Sequence, residues 1–138
     1  MNIKDYLSDI EQLCEFIPFF KDVDPDTVCT WIYKDRDCNI IFPYPVYSDD
    51  FMNFINIYYK TNLIHSNYND ELDKRIPNWQ EIDINEVIMT ADFELLVIIL
   101  TKAIRVERFH DGAWESAVEG GIFLNILNRL KSLSRSIR

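Results

Sequence analysis

The sequence contains little of what marks a cofactor site or breaks regular structure. Its 138 residues include three glycines, five prolines and two histidines. So few glycines leave no glycine-rich phosphate loop, and His65 and His110 lack the spacing of metal ligands. No serine or cysteine lies in a recognisable nucleophile motif. We therefore expect no metal and no other cofactor.

Cysteines and apolar runs are equally scarce. Cys14, Cys29 and Cys38 form an odd set without CxxC spacing, and the first residues, MNIKDYLSDIEQ, carry acids where a signal peptide carries an apolar run. The longest apolar run, LLVIIL at 95–100, is far shorter than the roughly 20 residues of a membrane span. These features favour a reducing cytoplasm and no membrane association. Cys29 and Cys38 could face each other across a hairpin, but in a reducing cell we interpret both as small hydrophobic residues.

The charge balance is acidic, with a formal net charge of -9. A molecule of this charge repels phosphate backbones, so we expect no direct binding of nucleic acid. Acidic residues concentrate at 22–26 and 70–92. These stretches are typical of a solvated surface, although they also suit a basic partner.

Apolar periodicity predicts a mostly α (α+β) fold for residues 1–138 as a single globular domain. Hydrophobic residues make up 48% of the chain, which is ample for a core. We predict four or five helices around a central buried helix, which is the segment ADFELLVIILTKAIRVERF at 91–109. Ser48, followed by two aspartates, predicts the start of another helix. The polar segment 63–85 is predicted to form loop or short helical turns.

A small N-terminal β-hairpin is predicted from two runs rich in β-branched and aromatic residues. These runs are VCTWIY at 28–33 and NIIF at 39–42, with Trp31 and Phe42 as anchors on the helices. Pro43 and Pro45 are predicted to end the second strand, because proline cannot donate to a ladder.

The segment IRVERFHDGAW at 104–114 gathers the candidate functional residues. The structural interpretation makes Asp111 the cap of a helix that begins at Gly112, with Arg105 and Arg108 complementing the carbonyl end of the preceding helix. Trp114 then packs on neighbouring helices. This interpretation accounts for most of the segment.

A functional interpretation of the same residues is also open. His110 would act as a general base, oriented by Asp111 or Glu107, while Arg105 and Arg108 bind an anionic group. A third feature is the density of tyrosines, of which Tyr44 and Tyr47 in FPYPVY are candidates for a contact surface.

Three blocks of the chain resemble an uncharacterised bacterial domain family that also occurs in mobile elements. They are FPYPVYSDDFMNFI at 42–55, TADFELLVIILTKAIRVERFHDGAW at 90–114 and GIFLNILNRL at 121–130. The specific part is RVERFHDGAW, with Arg105, Glu107, Arg108, Phe109, Asp111, Gly112 and Trp114. The resemblance implies one whole domain and a variable residue at position 110. It implies no substrate, cofactor or mechanism.

From the sequence we expect a cytoplasmic binding or interaction domain without catalytic activity. Its working surface would be where the segment from Arg105 to Trp114 meets Tyr44 and Tyr47, and its partner would be another protein. One alternative is a small enzyme or binder that acts on an anionic metabolite through that segment. The other is an acidic inhibitor from a mobile element that acts on a host protein. The oligomeric state does not follow from the sequence.

Overall fold

A computed structural model describes residues 1–33, 35–36, 39–40 and 43–137, with backbone alone at 35–36 and 39–40. Within these ranges the chain forms nine α-helices and four short strands. The order is α1 (Leu7–Cys14), α2 (Ile17–Asp22), α3 (Pro25–Val28), β1 (Cys29–Ile32), β2 (Asp35–Arg36), β3 (Asn39–Ile40), β4 (Tyr44–Tyr47), α4 (Asp49–Lys60), α5 (Tyr68–Arg75), α6 (Ile84–Thr90), α7 (Phe93–Arg105), α8 (Ala113–Glu119) and α9 (Ile122–Arg135). Short 3-10 turns occupy Ile3–Tyr6, Trp79–Glu81 and Val106–Arg108. The mostly helical class with a small hairpin is confirmed.

The predicted central helix is α7, and most of its side chains are buried. It begins at Phe93 because the side chain of Asp92 accepts a hydrogen bond from the N–H of Leu95 at 2.8 Å. Thr90, directly before the predicted segment, ends α6. Buried Thr101 in the middle of α7 is satisfied by the carbonyl of Val97 at 2.8 Å.

The hairpin differs from the prediction in its pairing, because β1 pairs with β4, whereas Asn39–Ile40 at the start of the predicted partner run pair with β2. Pro45 lies within β4, opposite Trp31. The N–H of Ser48 donates to the carbonyl of Val28, so by alternation the Trp31–Pro45 pair is one without ladder hydrogen bonds. The nitrogen of Pro45 therefore faces the free edge, where proline is tolerated.

Residues 34, 37–38 and 41–42 of the predicted hairpin, which include Cys38 and Phe42, lie outside the described part of the chain. The predicted start of α4 is confirmed, since the Ser48 side chain accepts a hydrogen bond from the N–H of Phe51. The segment 63–85, predicted as loop or short turns, contains the two-turn helix α5 and a 3-10 turn at Trp79–Glu81.

The core brings the two ends of the chain together. Helix α9 packs against α1, α2, α6, α7 and α8. Phe123 of α9 lies in edge or tilted contact with Phe20, Phe51 and Phe54, at centroid distances of 5.5 to 5.9 Å. Such aromatic packing fixes α4 against α9 and gives the hairpin a rigid base at the start of α4.

Candidate functional site

Glu107 is the centre of the RVERFHDGAW segment. It lies in the 3-10 turn that follows α7, and its carboxylate accepts three hydrogen bonds. The donors are the backbone N–H of Gly112 at 2.9 Å, the backbone N–H of Trp114 at 2.8 Å and the hydroxyl of Tyr47 at 2.8 Å. The Glu107 side chain thus satisfies backbone donors at the start of α8 and also connects β4 to that helix.

Aromatic rings pack around Glu107. The Tyr47 and Trp114 rings meet edge to face at 5.1 Å, and both contact Phe51 of the core. The indole N–H of Trp114 donates to the carbonyl of Ile104 at 2.8 Å, near the end of α7. We call Tyr47, Glu107, Gly112 and Trp114 the corner, a partly buried joint between the hairpin, α7 and α8.

Gly112 is required in the corner for two reasons. Its φ of 90° lies in the left-handed region, which side chains with a Cβ rarely adopt. A Cβ at this position would also lie 2.8 Å from Cζ2 of Trp31, whose indole N–H donates to Glu115 of α8. The hairpin therefore lies directly on the glycine.

The electrostatics of the corner keep the Tyr47 phenol protonated. Burial raises the pKa of Tyr47 well above its usual range, and the hydrogen bond to Glu107 and the charge of that carboxylate raise it further. At neutral pH Tyr47 is accordingly a hydrogen-bond donor to Glu107. The arrangement provides no base and no nucleophile at this hydroxyl.

The predicted capping role of Asp111 is wrong. Helix α8 has Gly112 at its N-cap position, and its first amides are satisfied by Glu107 from five and seven residues upstream. Asp111 is exposed, as is its neighbour His110. No hydrogen bond in the described part of the chain joins the imidazole of His110 to Glu107 or Asp111, so the corner does not orient it.

The two arginines contact different tyrosines. The guanidinium of Arg105 lies over the Tyr68 ring of α5 at 5.5 Å. Arg108 is exposed, and its terminal nitrogen lies 3.4 Å from the Tyr59 hydroxyl of α4. Because these contacts are on separate helices, they do not by themselves build a clamp on one anion. Tyr44, the remaining predicted contact residue, is exposed on β4.

Many carboxylates of the acidic stretches have structural tasks. The side chains of Asp24, Asp83 and Asp92 each accept a backbone N–H at the start of a helix. Asp73 accepts the indole N–H of Trp79 at 2.9 Å, and Glu71 pairs with Lys74 and Arg75. Local capping and pairing thus explain much of the sequence acidity.

The sequence did not predict a pocket beside α7 that is lined by Trp79, Lys102 and aliphatic side chains. Two further pockets lie between α1 and α9 and between α1 and α4. Neither Glu107, Arg108 nor His110 lines any of these three. In the described ranges no cluster of histidine, cysteine or carboxylate side chains is suited to a metal ion. No helix there has the length and apolar character needed to cross a bilayer.

The fold and the corner define a helical domain with a hairpin fastened to a helix–helix joint, and the joint has the contacts of a structural element. Over residues 6–136 the chain matches the model of a family of unknown function, DUF6508. The chain belongs to this family. No curated protein and no solved structure matches the chain significantly.

Proposed function

We propose that residues 1–138 act in the cytoplasm as an interaction domain that binds another protein through the outer face of the hairpin and the adjoining RVERFHDGAW segment. The observation that carries this proposal is the exposure of large apolar side chains there. Phe109 of the segment is 83% exposed, Val46 and Tyr44 of the outer face are 46% and 38% exposed, and Tyr33, directly after β1, is 75% exposed. Exposed aromatic residues concentrated in one region are typical of contact surfaces.

The two faces of the β1–β4 hairpin have different environments. Side chains alternate along β1 and β4, so Cys29, Trp31 and Tyr47 face the helices while Val46 and Tyr44 face outward. The inward set is fixed by the corner, which holds the outward set on a rigid base. A preformed surface loses less conformational entropy when it binds a partner.

The charge around this face indicates the chemistry of the partner. Asp49, Asp50 and Asp111 are exposed next to the hairpin or within the segment, where they outnumber the exposed Arg108, and the net charge is -9. A partner with an apolar patch edged by lysine and arginine would complement both properties. Free thiols at Cys14 and Cys29 are consistent with a reducing compartment.

The test is a capture experiment with two matched variants, both of which place a lysine on an exposed apolar position. Val46→Lys alters the outer face, whereas Met89→Lys alters a 70% exposed residue at the end of α6. Bait protein is cross-linked in extracts of its source cells, and bound proteins are quantified by mass spectrometry. We expect a partner whose recovery falls at least about tenfold with Val46→Lys and is unchanged with Met89→Lys.

Binding of the recovered partner is then measured with purified proteins at increasing salt. A decrease in affinity with salt supports the basic rim, since charge attraction is screened. The proposal is rejected if the two lysine variants capture the same proteins in the same amounts while both retain the wild-type melting temperature.

A further inference from the structure

A pocket of about 320 Å³ lies beside α7. It is lined by aliphatic side chains from α5, α6, α7 and α9, among them Leu72, Ile84, Ile99 and Ile122. Trp79 and Gln80 of a 3-10 turn form one edge. The volume is at the lower end of the range for small-molecule sites, which is roughly 300–1,000 Å³. We call it the Lys102 pocket, because Lys102 is the one charged residue among the described residues that line it.

The ammonium of Lys102 is held among neutral groups. It lies 5.2 Å from the centre of the Trp79 ring and 6.0 Å from that of Tyr68, and it donates to the side-chain oxygen of Asn69 at 2.8 Å. An ammonium group has three donors, and an aromatic face attracts it without accepting a directed hydrogen bond. Lys102 can therefore donate to a further acceptor.

Two of the three acidic side chains of α5 have partners other than Lys102. Asp73 accepts the indole N–H of Trp79, which orients the ring face toward Lys102, and Glu71 pairs with Lys74 and Arg75. In the described part of the chain no carboxylate lies within ion-pair distance of Lys102. An acidic protein thus keeps one cation at an apolar pocket without neutralising it.

Arg105 adds positive charge near Lys102, although it is not among the residues that line the pocket. It is one helical turn after Lys102 and lies over the same Tyr68 ring at 5.5 Å. Its Nε is buried without a hydrogen-bond acceptor in the described ranges. Buried unpaired donors are rare, and such a group calls for an explanation such as a bound water or ion.

We propose that the Lys102 pocket binds a small amphipathic carboxylate. The apolar part of the ligand lies among the aliphatic side chains, and its carboxylate accepts a hydrogen bond from Lys102. A charge-assisted hydrogen bond at the mouth of an apolar pocket distinguishes an acid from an alcohol of the same length. Of the RVERFHDGAW segment only Val106 lines this pocket, and none of its lining residues belongs to β1 or β4, so neither proposal depends on the other.

The experiment uses octanoate, 1-octanol and octylammonium as probes of one chain length with three head groups. Each is titrated into ¹⁵N-labelled protein, and the three indole N–H signals are followed by NMR. The indole of Trp79 lies at the pocket, whereas those of Trp31 and Trp114 are bonded to Glu115 and Ile104 around the corner. Only the Trp79 signal should shift with octanoate, which makes the other two internal controls.

Affinities from these titrations test the head group. Octanoate should bind at least about tenfold more tightly than 1-octanol, the factor expected from one charge-assisted hydrogen bond, and octylammonium should bind most weakly. Lys102→Met, which keeps the apolar stem, should reduce octanoate to the affinity of octanol. Lys74→Met removes an exposed lysine of α5 outside the pocket and should leave all three affinities unchanged.

A variant that fills the pocket distinguishes the contribution of the apolar chain from that of the head group. Ala103→Leu adds volume to a lining residue and should weaken octanoate and octanol alike. Equal binding of octanoate and octanol would overturn the proposal and would favour an uncharged occupant, such as an apolar side chain of a partner protein. Shifts of all three indole signals together, or none at millimolar octanoate, would also overturn it. These wild-type titrations decide the matter even if a variant fails to fold.

Discussion

Glu107 accepts a hydrogen bond from the backbone N–H of Trp114 at 2.8 Å, seven residues later in the chain. The same carboxylate accepts the N–H of Gly112 and the hydroxyl of Tyr47. Ordinary helix caps act over two or three residues, whereas this one acts across a turn and also binds a strand. The corner therefore depends on Glu107 more than on any charge nearer to the helix start.

Removal of the Glu107 carboxylate should destabilise the fold strongly. Glu107→Ala leaves two backbone donors and one hydroxyl without their partner, and we expect a loss of about 2–4 kcal/mol in the free energy of unfolding. Glu107→Gln retains one acceptor oxygen and should lose about half as much. Urea unfolding followed by tryptophan fluorescence measures both.

Asp111→Ala is the matched control for Glu107→Ala, because it removes an exposed carboxylate four residues away. Asp111→Ala should change the free energy of unfolding by no more than about 0.5 kcal/mol, as ordinary surface substitutions do. If Asp111→Ala proved as costly as Glu107→Ala, the assignment of the cap to Glu107 alone would be wrong and the sequence-based one right.

Gly112→Ala should be more destabilising than the same change at Gly121. Both residues have positive φ, so both substitutions carry left-handed strain of about 1–2 kcal/mol. At Gly121 the new Cβ meets one side-chain atom at 3.7 Å, but at Gly112 it approaches the Trp31 ring to 2.8 Å. We expect an additional loss of roughly 1–3 kcal/mol at Gly112, the usual cost of overpacking.

A double variant identifies the source of that additional loss. Trp31→Phe removes the ring atoms nearest to Gly112, so Gly112→Ala should cost less when combined with Trp31→Phe than in the wild type. Thermal and urea unfolding of the four proteins in this cycle give the coupling free energy. Strict additivity would show that the Trp31 ring is not what Gly112 accommodates.

Local patterns were sufficient for much of the helical fold. The apolar stripe predicted α7 as the central helix, and Ser48 before two aspartates predicted the start of α4, because both signals act within a few residues. The prediction that Pro45 ends a strand was wrong. Its nitrogen points away from β1, so the missing N–H removes no hydrogen bond between the two strands. Whether a strand lies at an edge depends on the whole sheet and does not follow from the strand itself.

The candidate site shows the same limit. The sequence singled out RVERFHDGAW, but it assigned the cap to Asp111, the nearest acidic residue, because the path of the chain around Gly112 was unknown. Contacts over longer separations, such as Tyr47 with Glu107 and Trp31 with Gly112, had no signal in local spacing. The Lys102 pocket combines residues of four helices and two 3-10 turns, and no local motif predicts it.

Alkaline pH should destabilise the protein in a window set by its buried thiols. Burial raises the pKa of Cys14 and of Cys29 from the ordinary value of 9.0 to about 11, and the nearby Glu115 carboxylate adds to the effect at Cys29. The thiols in the unfolded chain ionise first. Their contribution to stability is therefore complete below pH 9 and is lost as the pH rises through about 11.

Tyr58 ionises at higher pH than the two thiols, so the effect of the thiols on stability can be measured separately. Burial raises the pKa of Tyr58 from 10.0 to about 12, so its contribution is lost only above pH 10. Urea unfolding under reducing conditions at pH 7, 8, 9, 9.5 and 10 isolates the lower part of the window. The Cys14→Ala/Cys29→Ala protein should show a smaller decrease between pH 9 and 10 than the wild type. An identical decrease in both proteins would mean that the two thiols titrate alike in the folded and unfolded states.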